Sequence, residues 1–174
     1  MKKNILIFGL ISGIIVSGMI GIVAFCYGKG QFEGNMLLGF TVMVLAFSGI
    51  FVGIKNYRDS YANGKITFGK GLQIGLLIAL IASTMYVVSW LIVFYNFMPD
   101  FMDKYSEYSI AQINANTGLT SSEVKEQVAS INWQKQVYQT PLGIILTTYM
   151  EIFPVGIIIA IISALILKRK PESA

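Results

Sequence analysis

One carboxyl group stands apart from the other ionisable side chains of this sequence. Glu151 lies inside the apolar run 142–167, about 15 Å along a helix from the run's polar start at 1.5 Å per residue. A carboxylate that deep in a bilayer costs about 2.5–3.5 kcal/mol, so it should face other helices and find a partner, or hold its proton. Counting to the same depth in the other apolar runs brings Ser17, Ser48, Tyr86 and Ser89 to its level. With Glu151 they form the candidate intramembrane polar site. Pro154 follows three residues later, leaves the Met150 carbonyl without its helical donor and predicts a kink. A carboxyl group beside a free carbonyl and several hydroxyls suits the binding of a proton or cation. The plainer reading is a neutral acid that ties helices together by hydrogen bonds.

Other chemistries are thin. The chain has no histidine and one cysteine, Cys26, which excludes an internal disulfide, zinc sites of His/Cys type and histidine-dependent triads. No catalytic residue, cofactor-binding residue or metal ligand is expected. The run Gly64-x-x-x-x-Gly69-Lys70-Gly71 nearly matches a phosphate-binding loop, but Gly71 stands where the magnesium-ligating Ser or Thr belongs, and no apolar strand precedes it. Nucleotide binding is therefore not expected. A turn at Asn63-Gly64 fits better, followed by Lys65, Phe68 and Lys70 at the membrane surface. Lys55, Arg58, Lys65 and Lys70 are expected to contact lipid headgroups, with Tyr57 and Tyr61 as interfacial anchors.

These groups need elements to position them. Of 174 residues, 55% are hydrophobic and 13% charged, which no soluble fold of this size could bury. The net charge of +4 is spread between apolar segments, which favours anionic lipids over nucleic acid as the partner of the basic residues. Four runs are long enough to cross a bilayer as helices, at about 5–27, 36–54, 72–98 and 142–167. The expected fold class is an all-α membrane protein forming one membrane domain over 1–174. The first run begins after Lys2 and Lys3 and is too long for a signal-peptide core. It reads as an uncleaved helix, with a signal or lipoprotein anchor as the alternative. Lys2, Lys3, Lys55, Arg58, Lys65, Lys70, Lys168, Arg169 and Lys170 fall on one side of four spans; Lys29, Lys104, Lys125 and Lys135 fall on the other. The positive-inside rule then puts both termini in the cytoplasm.

The polar stretch 99–140 should form a short extracytoplasmic helical hairpin. A first helix runs from 100 to about 116 and breaks at Asn116-Thr117-Gly118; Thr120-x-x-Glu123 is a capping box that opens a second. Val124, Val128, Ile131 and Val137 give that second helix a partial apolar face. Small residues recur every fourth position in the spans: Gly9, Gly13, Ser17 and Gly21; Gly49 and Gly53; Gly71, Gly75, Ala79 and Ser83; Gly156, Ala160 and Ala164. Such stripes let helix backbones approach closely where water supplies no driving force. The plain reading is packing within the chain, and the sharper one is a homo-oligomer interface along the first span.

Three segments carry a resemblance: Phe51-Val-Gly-Ile-Lys-Asn-Tyr-Arg-Asp59; Ile66-Thr-Phe-Gly-Lys-Gly71 leading into Ile74-Gly-Leu-Leu-Ile-Ala79; and Tyr149-Met-Glu-Ile-Phe-Pro-Val-Gly156 ending in Lys168-Arg-Lys170. Together they resemble the Bacteroidetes-type integral membrane family catalogued as domain of unknown function 4199. The resemblance implies a bacterial cytoplasmic (inner) membrane. It implies no activity and assigns no role to Glu151.

The sequence thus points to a non-enzymatic structural, assembly or regulatory membrane component. Its partners are membrane lipids and a second copy or another membrane protein, not nucleic acid or nucleotide. The alternative is a small oligomeric transporter or channel component that uses Glu151 for proton or cation handling. An intramembrane enzyme would need at least two cooperating polar groups, and only Glu151 has the chemistry.

Overall fold

The computed structural model describes residues 1–28 and 36–169, with side chains described over 1–25 and 39–169. The side chain of Cys26, and Lys29 and Lys170 of the charge count, lie outside the described residues. Six helices follow in order: α1 (Lys2–Gly28), α2 (Met36–Tyr61), α3 (Phe68–Phe97), α4 (Phe101–Ala115), α5 (Ser121–Val137) and α6 (Pro141–Leu167). Four of them, α1, α2, α3 and α6, are long and apolar enough to cross a membrane, and α4 and α5 form the hairpin between the last two.

Helix α2 continues past its apolar stretch to Tyr61, and α3 begins four residues before its own. Long basic side chains make this inexpensive, because Lys55 and Arg58 keep good helix propensity while their stems lie along apolar surface. The loop between them shrinks to 62–67. Asn63 and Gly64 turn it with φ of 49° and 75°, and the Gly64 N–H donates to the Arg58 carbonyl at 2.9 Å. Thr67 then caps α3, accepting from the Lys70 N–H at 3.3 Å.

The spans pack as a square. Helices α1 and α6 occupy opposite corners, each lying along both α2 and α3, while α2 and α3 meet across the centre. The small-residue stripes pair at these seams. Along α3 and α6 the pairing is antiparallel and regular: Gly71 meets Ala164, Gly75 meets Ala160, and Ala79 meets Gly156. Gly9 and Gly13 of α1 face Ile81 and Met85 of α3, and Gly49 of α2 faces Ser12 of α1. Phe47, Ile50, Ile54, Ile74, Ile78 and Ile152 fill the centre with no exposed surface. In lipid, close van der Waals packing of this kind holds helices together. The outside is apolar as well, with Ile14, Ile22, Leu45, Ile92, Leu142 and Ile166 all well exposed, an exterior suited to acyl chains and unsuited to water.

The two ends of the bundle differ. Lys2, Lys3, Lys55, Arg58, Lys65, Lys70, Lys168 and Arg169 gather at one end, where α1 and α3 begin and α2 and α6 finish. That end is tied by an Asn4 Nδ2 to Asn56 Oδ1 hydrogen bond of 2.7 Å and by an antiparallel bridge between Ile66 and Arg169. The hairpin sits at the other end. Both halves of the expected capping box form: the Glu123 N–H donates to Thr120 Oγ1 at 3.4 Å, and the Thr120 N–H donates to Glu123 Oε2 at 2.8 Å. Lys135 of α5 bridges to Asp103 of α4 at 2.7 Å. An aromatic cluster roots the hairpin on the spans: Trp90 meets Phe101 edge-on at 5.1 Å, and Phe94 meets Tyr138 at 5.8 Å.

Candidate functional site

Glu151 sits midway along α6, but its side chain is not enclosed between helices. Rotation about the helix axis explains this. The inward positions at that level are held by Thr148 and Ile152, which are 2% and 0% exposed. Residue 151 is turned about 100° from its neighbour 152 and stays exposed on the bundle's flank. No hydrogen bond or ion pair to its carboxylate forms among the described residues. Of the two expectations, a paired acid facing other helices or an acid that holds its proton, the first is not what the described residues of a single chain present: depth along a helix is legible in sequence, whereas its rotation depends on which neighbours pack.

The depth-matched group also divides. Tyr86 is half-buried on α3. Ser89 is half-buried on α3. Ser48 is exposed and donates to the Leu45 carbonyl at 2.6 Å. Ser17 is on α1, at the corner opposite α6, and its buried hydroxyl has no partner. Helix α6 runs unbroken through Pro154. Pro154 and Met150 share the exposed outer face beside Glu151, so the carbonyl that Pro154 leaves undonated belongs to that same face.

Sequence reasoning missed the groups that do converge there. Thr147 and Thr148 precede Glu151 by four and three residues, so all three share one side of the helix. Thr147 Oγ1 donates to the Gly143 carbonyl at 2.8 Å, and Thr148 Oγ1 to the Ile144 carbonyl at 2.7 Å. The Tyr138 ring packs near them at the end of α5, against Phe94 at 5.8 Å. Burial pushes the Tyr138 phenol above its usual range, and the Glu151 charge adds to that shift, so Tyr138 keeps its proton. The i−4 and i−3 hydroxyls were visible in the sequence; the arrival of Tyr138 from the end of α5 was not.

The opposite flank of the α3–α6 seam has its own polar contact. Thr84 Oγ1 and Tyr149 Oη lie 2.7 Å apart on an exposed face. Residues 149 and 151 are about 200° apart around the helix, so this pair stands away from the carboxyl group.

At the basic end, Lys55 and Lys65 are exposed. Arg58 is turned to Asp59, with Nε 2.7 Å from Oδ1, and Lys70 Nζ donates to Gln73 Oε1 at 3.1 Å. Gly69 and Lys70 lie in the first turn of α3 under the Thr67 cap, and Gly71 is pressed against Ala164 and Ile54 at 3.3 and 3.5 Å for any added Cβ. Among the described residues no group of three or more acidic or thiol side chains is placed to hold a metal ion.

Comparison with known proteins adds one match. A family model described as Protein of unknown function (DUF4199) covers residues 5–169, from the start of α1 to the end of α6. No curated protein and no solved structure matches the chain.

Proposed function

We propose, from the premise that this chain belongs to the DUF4199 family of proteins of unknown function, that it is a non-enzymatic assembly or regulatory component of a bacterial cytoplasmic membrane. It engages another membrane helix across the outer face of α6. Both termini lie in the cytoplasm with the basic end, where the exposed Lys55 and Lys65 meet anionic headgroups while Arg58 is buried against Asp59, and the hairpin lies outside.

One observation carries this reading: Glu151 is exposed on a lipid-facing flank without an internal partner. A carboxylate left to acyl chains bears the full cost of about 2.5–3.5 kcal/mol, and a covering helix with hydrogen-bond donors offsets it. Met150, 78% exposed on the same face, is a large, adaptable side chain suited to such a contact. A photoreactive residue at Met150 tests the reading in native membranes. Adducts to protein chains, lost in Glu151→Leu, support it. Adducts to lipid alone contradict it.

A second reading is favoured by the hydroxyls of Tyr138, Thr147 and Thr148. A carboxyl group with threonine hydroxyls one helical turn away can exchange a proton, so the chain would serve proton or cation handling in an oligomer. Flux through proteoliposomes, lost in Glu151→Gln, tests it.

A further inference from the structure

We infer that Glu151 of one copy meets the Thr84–Tyr149 pair of the next, so that the helix covering α6 belongs to a second copy of this chain and the copies close into a ring around α6. The inference rests on the reading that a membrane helix covers the outer face of α6, and adds the identity of that helix.

The two polar groups lie on different faces of one corner of the bundle. Thr148 and Ile152 point inward. Tyr149 reaches Thr84 and so marks the α3 side of α6. Glu151, about 200° further round, is on the side toward α2, the other helix that α6 lies along. Their depths match. The register that sets Gly75 against Ala160 and Ala79 against Gly156, continued along both helices, brings Thr84 level with Glu151, and Tyr149 is offset from Glu151 by about 3 Å. Each group stands among apolar neighbours. Ile158 and Ile162 are exposed on the Glu151 side of α6, and Leu80 and Val88 are exposed one turn to either side of Thr84.

The hydrogen bonds complement one another. Thr84 Oγ1 donates its one proton to the Leu80 carbonyl at 2.7 Å. In its 2.7 Å contact with Tyr149 it therefore accepts, and the Tyr149 hydroxyl donates. The Tyr149 oxygen then keeps lone pairs and has no proton to offer. Glu151, which costs least in hydrocarbon as the neutral acid, has a proton and no acceptor among the described residues. Against the next copy, Glu151 donates to Tyr149, Tyr149 to Thr84, and Thr84 to Leu80. Every donor in that chain is used, in a medium that offers no other partner. Because the two groups lie on different faces, the contact is head-to-tail. Because they share one depth, repeating it adds rotation without a step along the membrane normal, and such a contact closes into a ring of more than two copies. The two faces meet at α6, which lines the axis of the ring with the exposed Met150 foremost.

Leu77 and Ile158 form the next matched pair, two turns toward the basic end from Thr84 and Glu151 and on the same sides; both are exposed. In the full chain with Cys26→Ser, Leu77→Cys and Ile158→Cys are made separately, tagged differently, co-expressed and oxidised in native membranes with copper phenanthroline. A disulfide is expected between the two variants and in neither expressed alone. Tyr149→Phe in the Leu77→Cys chain, or Glu151→Leu in the Ile158→Cys chain, is expected to lower its yield several-fold. Exchanging these two substitutions between the chains spares the linked contact and should lower the yield less, which separates a lost contact from a misfolded chain. Ile158→Cys linking to itself, no link at all, or a link indifferent to both substitutions overturns the inference. Photoadducts from Met150 to a different protein, with this link absent, would leave the assembly reading standing and overturn the ring.

Discussion

Gly75 and Ala160 occupy facing positions on α3 and α6, and a methyl group on Gly75 would come within 2.8 Å of the Ala160 Cβ and 3.1 Å of Ile50 Cγ2. These neighbours are a backbone-anchored methyl and a buried branched side chain, and neither can swing away. Gly75→Ala is expected to lower the stability of the bundle by about 1–3 kcal/mol through overpacking. Nothing lies within 4 Å of a Cβ built on Gly18 or Gly21, so Gly18→Ala and Gly21→Ala should stay within about 0.5 kcal/mol of the parent. Reversible unfolding in mixed micelles measures both.

The hydrogen bond between Asn4 and Asn56 joins α1 to α2 at the basic end. Interhelical bonds of this kind average about 0.6 kcal/mol in membrane proteins. A double-mutant cycle of Asn4→Ala and Asn56→Ala should return a coupling near that value. A coupling indistinguishable from zero would remove the pair from the account of how α1 is anchored.

Outside the bilayer, Glu123 is a pH probe of the hairpin. The Thr120 backbone N–H and hydroxyl hold its carboxyl below the usual range. A folded value below the unfolded one means that the stabilisation is present above the unfolded carboxyl value, about 4.3, and is lost as pH falls through the folded value. Amide exchange in the first turn of α5 should therefore quicken on acidification through that window. Thr120→Ala should quicken it at neutral pH and flatten the pH dependence.

Orientation has its own check. An impermeant maleimide should label Glu126→Cys in intact cells and leave Lys168→Cys unlabelled until the membrane is opened. The reverse pattern would invert the assignment of sides and leave the bundle itself unchanged.

Much of this architecture was legible because each feature has a local cause. Thr120 and Glu123 specify a helix start within four residues, and span lengths follow from runs of apolar side chains. The stripe Gly71, Gly75, Ala79 could be seen as a close-packing face. Its pairing with Ala164, Ala160 and Gly156 could not, because the register between helices is a property of two segments together. The same limit applies at Glu151. Its depth was visible, and the free carbonyl of Met150 followed from Pro154. Its rotation onto the flank depends on Ile152 and Thr148 taking the inward positions, and Tyr138 arrives only because α5 ends against Trp90 and Phe94. Helix α2 overran its apolar stretch because helices end where hydrogen bonding ends, here at the Asn63-Gly64 turn.

Glu151 has no hydrogen-bond or ion-pair partner among the described residues of its own bundle. The most direct measurement is the unfolding free energy of the isolated, monomeric chain in bilayers, comparing wild type with Glu151→Leu and Glu151→Gln. With no internal hydrogen bond to lose, Glu151→Leu should leave stability unchanged or raise it, by up to about 2.5–3.5 kcal/mol if the desolvation cost is fully relieved. A loss of more than about 1 kcal/mol in Glu151→Leu, recovered in Glu151→Gln, would show the acid tying its own helices together and would contradict the account.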